Sequence, residues 1–128
     1  MARSTRQRAA ILATLEAAGR PLSPGEIHAG AARRVPGVGV ATVYRNIKRL
    51  VVEHTLTPVN LPGAPPRYEL VAAAERHHHH FRCDRCDAVY DVDGCPGGLS
   101  KMLPRGFRLR AHDIVLYGLC STCGGGRA

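Results

Sequence analysis

The spacing of apolar side chains divides the first half of the chain into three helices and a hairpin. Over residues 5–18, Ala9, Ile11, Leu12, Leu15 and Ala18 recur near the helical period, with Ser4 or Thr5 available as N-cap and Gly19 to end the helix. Ser23 followed by Glu26 is a capping-box pattern, which predicts a second helix over residues 24–33, and Pro36-Gly37 enforces a turn after it. From Val40 onward, Val43, Ile47, Leu50 and Val51 fall on one face of a third helix, with Tyr44, Arg45, Lys48 and Arg49 towards the other. Two β-like runs, residues 56–61 and 67–71, flank the loop Pro62-Gly63-Ala64-Pro65-Pro66. Helix, helix, helix, hairpin is the order of a winged helix-turn-helix.

Past the small-residue stretch Ala72-Ala73-Ala74-Glu75-Arg76 the composition changes, and His and Cys enter together. The chain therefore divides into a winged-helix domain over residues 1–71, a hinge at 72–76 and a second domain over 77–128. In the second domain the pattern predicts hairpin strands at 81–83 and 88–92, a short helix at 98–103 and a long strand at 107–117. The expected class is α+β, an N-terminal winged helix-turn-helix domain followed by a small C-terminal α/β domain.

A chain of 128 residues holds one ordinary domain or two very small ones with thin cores, which a partner subunit or a structural metal would support. The formal charge of +8 favours polyanions, nucleic acid and anionic membrane alike. It is uneven: residues 1–71 carry 10 Lys+Arg against 4 Asp+Glu and residues 72–128 carry 8 against 6, an excess of +6 and +2. No run approaches the roughly 20 apolar residues that span a bilayer. Met1-Ala2-Arg3-Ser4-Thr5-Arg6 lacks the apolar stretch of a signal peptide, so a cytoplasmic protein without a membrane partner is expected. In a reducing compartment five cysteines do not make a disulfide framework, and metal ligation becomes the leading explanation for four of them.

Cys83-x-x-Cys86 and Cys120-x-x-Cys123 lie 33 residues apart, counted between Cys86 and Cys120. Each pair offers two sulfurs through a tight turn, and two pairs close a tetrahedral shell that suits Zn2+ and leaves no position open for catalysis. A thioredoxin-like redox pair and iron-sulfur ligation are the alternatives. Upstream, His77-His78-His79-His80 runs into Phe81-Arg82-Cys83. On an extended strand His78 and His80 share one face and His77 and His79 the other, so one tract can feed two metal sites. A solvated polar strand is the simpler fate; the neighbouring cysteine pair and carboxylates such as Glu69 and Asp91 weigh against it. The basic face of the third helix is either solvated or, as the charge asymmetry favours, the side that enters the major groove. There Arg45 would bond guanine bidentately, Tyr44 would pack on a thymine methyl or bond a phosphate, and Lys48 and Arg49 would neutralise the backbone.

Gly39-Val40-Ala41-Thr42-Val43-Tyr44-Arg45, Tyr68-Glu69-Leu70, the histidine run before Cys83-Asp84-Arg85-Cys86, and Leu116-Tyr117-Gly118-Leu119-Cys120 follow one another over nearly the whole chain. In that combination the sequence resembles the ferric uptake regulator (Fur) family. The resemblance implies a metal-responsive transcriptional repressor of metal-uptake or metal and oxidative-stress genes. It further implies a homodimer, joined through its C-terminal domain, that binds a palindromic, A/T-rich double-stranded DNA operator once a regulatory divalent metal is held. Carried over by position, the structural Zn2+ ligands are Cys83, Cys86, Cys120 and Cys123. The regulatory site between the domains draws on Glu69, His78, His80 and Asp91, and an additional site on His77, His79 and His112. Base contact falls to Tyr44 and Arg45, with Thr42, Lys48 and Arg49 on the same helix, and Arg3 and Arg8 match the basic residues that approach the minor groove or phosphates. The regulatory set is all nitrogen and oxygen, which suits manganese, iron(II), nickel or zinc and inclines towards Fe2+ or Mn2+ over Zn2+.

Three positions depart from the family pattern. The sensory histidine before the second helix aligns with Pro21, and His28 lies about one helical turn further on. The carboxylate of the additional site aligns with Gly98, which leaves three histidines to be joined by Asp93, Cys95 or water. The cysteine that zinc-sensing members commonly carry after the wing has no counterpart in residues 71–76. A zinc-dependent hydrolase and a zinc-ribbon interaction module are the competing functions. The sequence contains no HExxH and no evident nucleophile arrangement, and a hydrolase would leave the basic helix unexplained, so a non-enzyme is expected.

Overall fold

The computed structural model describes residues 2–74 and 79–125, with side chains from Ser4 onward in the first helix. The chain divides into two compact units, Met1–Arg76 and His77–Ala128. No helix among the described residues is long and apolar enough to cross a membrane.

The first unit runs α1 (Ala2–Ala18), α2 (Pro24–Arg34), α3 (Val40–Val52), β1 (Leu56–Val59), β2 (Arg67–Leu70) and the short α4 (Val71–Ala74). Helix α1 starts ahead of the expected residue 5, so neither Ser4 nor Thr5 serves as its cap; nothing from Ala2 to Arg6 breaks a helix, and the turn propagates through them. It stops at Gly19, whose φ of +62° is open to glycine without steric cost and whose N–H bonds Leu15 O at 3.1 Å. The capping box forms as expected: Glu26 N–H donates to Ser23 Oγ at 3.1 Å and Ser23 N–H to Glu26 Oε1 at 2.9 Å. Burial pushes the Glu26 carboxyl up, but the Ser23 N–H and the Arg20 guanidinium, 2.9 Å away, outweigh it and hold the group below its ordinary value.

The apolar faces of these helices meet in one cluster, in which Ile11, Leu15, Ile27, Val43, Ile47, Leu50 and Leu56 are buried. Helices α1 and α2 approach closely, because a β-carbon on Gly30 would fall 2.2 Å from the Thr14 methyl. Strands β1 and β2 pair antiparallel, from Leu56 opposite Leu70 to Val59 opposite Arg67. Leu22 adds a bridge to Tyr68 through hydrogen bonds of 2.9 and 2.8 Å, so the chain between α1 and α2 is stitched to the hairpin. This is a winged helix-turn-helix, with β1 and β2 as the wing.

The second unit is a three-stranded sheet in the order β4-β3-β5, built from β3 (His79–Cys83), β4 (Val89–Val92) and β5 (Val115–Gly118), with a 3-10 turn at Leu99–Met102. β3 and β4 are antiparallel, His80 facing Asp91; β3 and β5 are parallel, His80 facing Val115 and Cys83 facing Gly118. Two expectations need correction. The short helix is a single 3-10 turn, entered through two successive left-handed glycines, Gly97 (φ +69°) and Gly98 (φ +66°). The long strand expected over 107–117 pairs only at Val115–Gly118. β3 lies between β4 and β5 and takes up β5 only from His80 to Cys83, so the apolar and basic alternation of residues 107–113 has no strand beside it among the described residues and stays irregular.

Candidate nucleic-acid interface and metal centre

Helix α3 separates its two faces cleanly. Val43, Asn46, Ile47 and Leu50 are buried, while Tyr44, Arg45, Lys48 and Arg49 are exposed. The buried Asn46 amide donates to Thr42 O at 3.0 Å, and Arg45 donates to the Thr42 hydroxyl at 3.2 Å, which steadies the guanidinium along the helix. The exposed row is therefore held by a rigid core and presents cationic and aromatic donors in a line. The Arg8 guanidinium pairs with Glu53 at 2.7 Å and joins α1 to the end of α3. The side chain of Arg3 lies outside the described residues. His28 bonds Val38 O through Nε2 at 3.0 Å, clasping α2 to the turn before α3.

The four cysteines of the two pairs converge as expected. Cys83 ends β3 and Cys86 closes the following turn, in which Cys83 N–H donates to Ala88 O at 2.9 Å and Asp87 takes a left-handed φ of +63°. The partner pair follows β5, and Asp84 N–H reaches Gly118 O at 2.7 Å, locking one turn to the other. All four sulfurs lie within 4.8 Å of one another, and Cys86 Sγ and Cys120 Sγ are 3.8 Å apart. A tetrahedron of Zn–S bonds near 2.3 Å has edges of about 3.8 Å, so a slight contraction closes the shell.

The backbone around the cluster is arranged for thiolate. N–H groups of Cys86 (3.5 Å) and Cys120 (3.4 Å) aim at Cys83 Sγ and bring its thiol down to about 6. Backbone hydrogen bonding from Cys123 lowers Cys120 as well. At Cys86 the Ala88 N–H favours the thiolate, but desolvation of the sulfur and the neighbouring Cys83 outweigh it and push the thiol up. Desolvation, reinforced by the other three sulfurs, pushes Cys123 up to about 12. Four thiols that cannot all ionise unaided are a donor set suited to a cation, and the group fits a closed tetrahedral metal centre.

The histidine tract divides between two places. His80 sits opposite Asp91 across the β3–β4 ladder, with Nε2 3.5 Å from the carboxylate. His79 faces the other way and joins Cys95 and His112: the Cys95 Sγ is 3.2 Å from His112 Nε2, the two rings are 5.1 Å apart between centroids, and the donor atoms of all three lie within 4.8 Å of one another. Cys95 is thus the group brought to the additional cluster, and Asp93 is not in it. The signal for Cys95 in the sequence was the glycine at position 98 where the resemblance implies a carboxylate, which left Asp93, Cys95 or water to join the histidines. His77 and His78 fall outside the described residues. Glu69 lies on β2 in the first unit, opposite Thr57.

Known proteins resemble this chain in sequence and in fold. The profile of the ferric uptake regulator family matches residues 1–117. The ferric uptake regulation protein of Campylobacter jejuni is 30% identical over 129 residues, covering 97% of this chain and 81% of that protein. The transcriptional regulator FurA of Mycobacterium tuberculosis is 31% identical over 126 residues, covering 94% and 82%. Among solved structures, a zinc-bound manganese uptake regulator matches with a TM-score of 0.77 at 26% identity, over 89% of this chain and 87% of that one. FurB from M. tuberculosis, described as a zinc uptake regulator, matches with a TM-score of 0.51 at 30% identity, over 95% of each. With a winged helix in the first unit, a four-cysteine cluster in the second and the family profile matching from the first helix through most of β5, this chain belongs to the ferric uptake regulator family of metal-responsive transcriptional regulators.

Proposed function

We propose that this protein is a homodimeric repressor that binds a palindromic DNA operator when a regulatory divalent metal is bound, and so controls genes of metal uptake or of metal and oxidative stress. The observation that carries this reading is the exposed row Tyr44, Arg45, Lys48 and Arg49 on a helix whose opposite face is buried in the core. Arg45 and Tyr44, beside Thr42, are the base-contacting pair; Lys48, Arg49, Arg8 and Arg3 supply charge to the phosphates. A closed four-thiolate site holds Zn2+ as a structural ion, because it offers no open position for chemistry or exchange.

The regulatory ion is assigned to Glu69, His78, His80 and Asp91, with His77, His79 and His112 forming a further site. The cross-strand pairing of His80 with Asp91 supports the first set, since a carboxylate beside an imidazole is the donor mixture that hard and borderline divalent ions take. With no sulfur in it, that set favours Fe2+ or Mn2+ over Zn2+. An ion sharing ligands from both units favours one arrangement of them over others, and its coupling to DNA binding is reciprocal.

Operator binding measured by band shift, with and without added metal on protein that keeps its structural zinc, tests this reading. Metal-dependent, sequence-specific binding is expected, and binding indifferent to both metal and sequence refutes it. Arg45→Ala is expected to cost about 1–3 kcal/mol on the operator and relax one position per half-site, whereas Lys48→Ala weakens all sequences alike. Glu69→Ala and His80→Ala are expected to abolish the response to metal; tight binding by both at the wild-type metal concentration moves the sensory site elsewhere.

A further inference from the structure

The cluster of His79, Cys95 and His112 differs in kind from both sites above, because it mixes one sulfur with two ring nitrogens. Cys95 is exposed, in the loop that leaves β4, and the left-handed pair Gly97-Gly98 turns that loop into the 3-10 turn. His112 belongs to the irregular stretch before β5, and His79 is buried on β3. Three segments far apart in sequence thus deliver their soft and borderline donors to one spot. The same sheet keeps this spot apart from the four cysteines, which gather at the other end of β3: His79 opens that strand and Cys83 closes it.

We propose that Cys95, with His79 and His112, forms a thiolate-bearing metal site that selects a borderline divalent ion of the zinc class and discriminates against Mn2+ and Fe2+. This deepens the reading of His79 and His112 as ligands of an additional site and rests on it. In a tetrahedral shell a sulfur and an imidazole nitrogen stand about 3.5 Å apart, so the 3.2 Å contact between Cys95 and His112 opens by only a few tenths of an ångström to admit an ion. The ion replaces the proton shared between sulfur and nitrogen, and that proton is released to solvent. His79 gives up one bond in exchange: its Nδ1 now accepts from Ile114 N–H at 3.1 Å, and whichever ring nitrogen takes the metal, that N–H loses its acceptor. Three protein donors with water in the remaining position make a site that fills and empties, unlike the closed shell of four thiolates. The sulfur sets the preference, since thiolate ranks zinc, cobalt and nickel above manganese and iron(II).

Cobalt(II) reports the sulfur directly, because a thiolate bound to it gives a charge-transfer band that nitrogen and oxygen ligands do not. Full-length protein carrying one equivalent of zinc is titrated with cobalt, alongside Cys95→Ala and Cys95→Asp, with zinc and cobalt counted at each point. Any cobalt entering the four-cysteine site contributes equally to all three proteins and cancels in the difference. The wild type is expected to show a one-thiolate band that both variants lack, and that added Zn2+ removes and equal Mn2+ does not. Cys95→Asp is expected to retain an ion but to accept Mn2+ in competition. A wild type that takes up the second ion without a sulfur band, or a band unchanged in Cys95→Ala, overturns the role of Cys95 and leaves the two histidines standing as ligands. No second ion at this position, shown by identical uptake in wild type and His112→Ala, overturns both. The exposed position of Cys95 keeps these variants folded, and their unchanged binding of structural zinc verifies it.

Discussion

Among the described residues, the first unit gathers a continuous apolar cluster from Ala10 to Leu56, whereas the buried apolar side chains of the second are only Cys83, Ala88, Val89 and Cys120, with His79 beside them. Large aliphatic side chains interdigitate between helices in the one; in the other, two of the four are thiols waiting on a cation. The first unit can thus be stabilised by removing hydrocarbon from water, while the second buries little of its hydrocarbon within one chain, leaving Phe107, Leu116 and Leu119 exposed, so that an ion held by the four cysteines would carry a larger share of its stability. The division suits a metal-dependent regulator. A helix that reads DNA is best carried by a core that keeps its shape whatever the metal supply, and ligation can then be concentrated in the other unit.

The largest effect that would break this contrast is loss of the four-cysteine ion. Cys83→Ser, or chelation of the structural metal, is expected to unfold the second unit, since structural zinc supplies about 10–16 kcal/mol at pH 7. The helices of the first unit should persist, so hydrogen exchange is expected to accelerate across residues 79–92 and not across α3. Equal loss in both units would show that the apolar core cannot stand alone. The converse variant, Leu50→Ala, removes a fully buried side chain from the first unit and is expected to cost about 2–5 kcal/mol in denaturant unfolding. Its zinc content should not change.

Proton linkage sharpens the contrast further. Cys86 and Cys123 are both held above the ordinary thiol range, Cys123 at about 12, so both are protonated at neutral pH and the ion must expel at least these two protons. Zinc affinity is therefore expected to fall as the solution is acidified, roughly 100-fold per pH unit through the neutral range, measured by competition with a chromophoric chelator. A slope below tenfold would mean that the thiols ionise before metal arrives. Below about 6, Cys83 also takes up a proton and the dependence steepens. The smallest of these effects is local: Ser23→Ala deletes the cap of α2 and is expected to cost the first unit about 1 kcal/mol, with no change in metal binding by the second.

The elements legible in the sequence were those whose cause is local. Ser23 and Glu26 announced the start of α2 because a capping box lies within one turn, and the pattern of Val43, Ile47 and Leu50 fixed the buried face of α3 because a helix repeats on the scale of that pattern. The cysteine pairs were legible for a related reason: a two-residue spacing already bends the chain around an ion. Residues 107–114 alternate as a strand should, yet a strand also needs a neighbour, and which segment occupies the edge of β3 is a property of the whole sheet. The choice of Cys95 over Asp93 or water as the group that joins His79 and His112 was left open for the same reason. The meeting of Cys95 with His112 depends on two loops folding back over 17 positions of sequence, and nothing within either loop records it.

The parallel pairing of β5 with β3 has a consequence for the order in which the molecule assembles. Cys83 and Cys86 sit at the turn of a hairpin that can form as soon as β4 has left the ribosome, whereas Cys120 and Cys123 arrive only after residues 93–119 have followed. Hairpins close in microseconds, and distant parallel pairing is slow because its loop-closure entropy is met before any contact is gained. A metal ion caught early by the first two thiolates would therefore act as a template. By collecting the second pair it would set Cys83 against Gly118 and align β5 in its register, so that metal supply during synthesis governs how quickly a finished regulator appears.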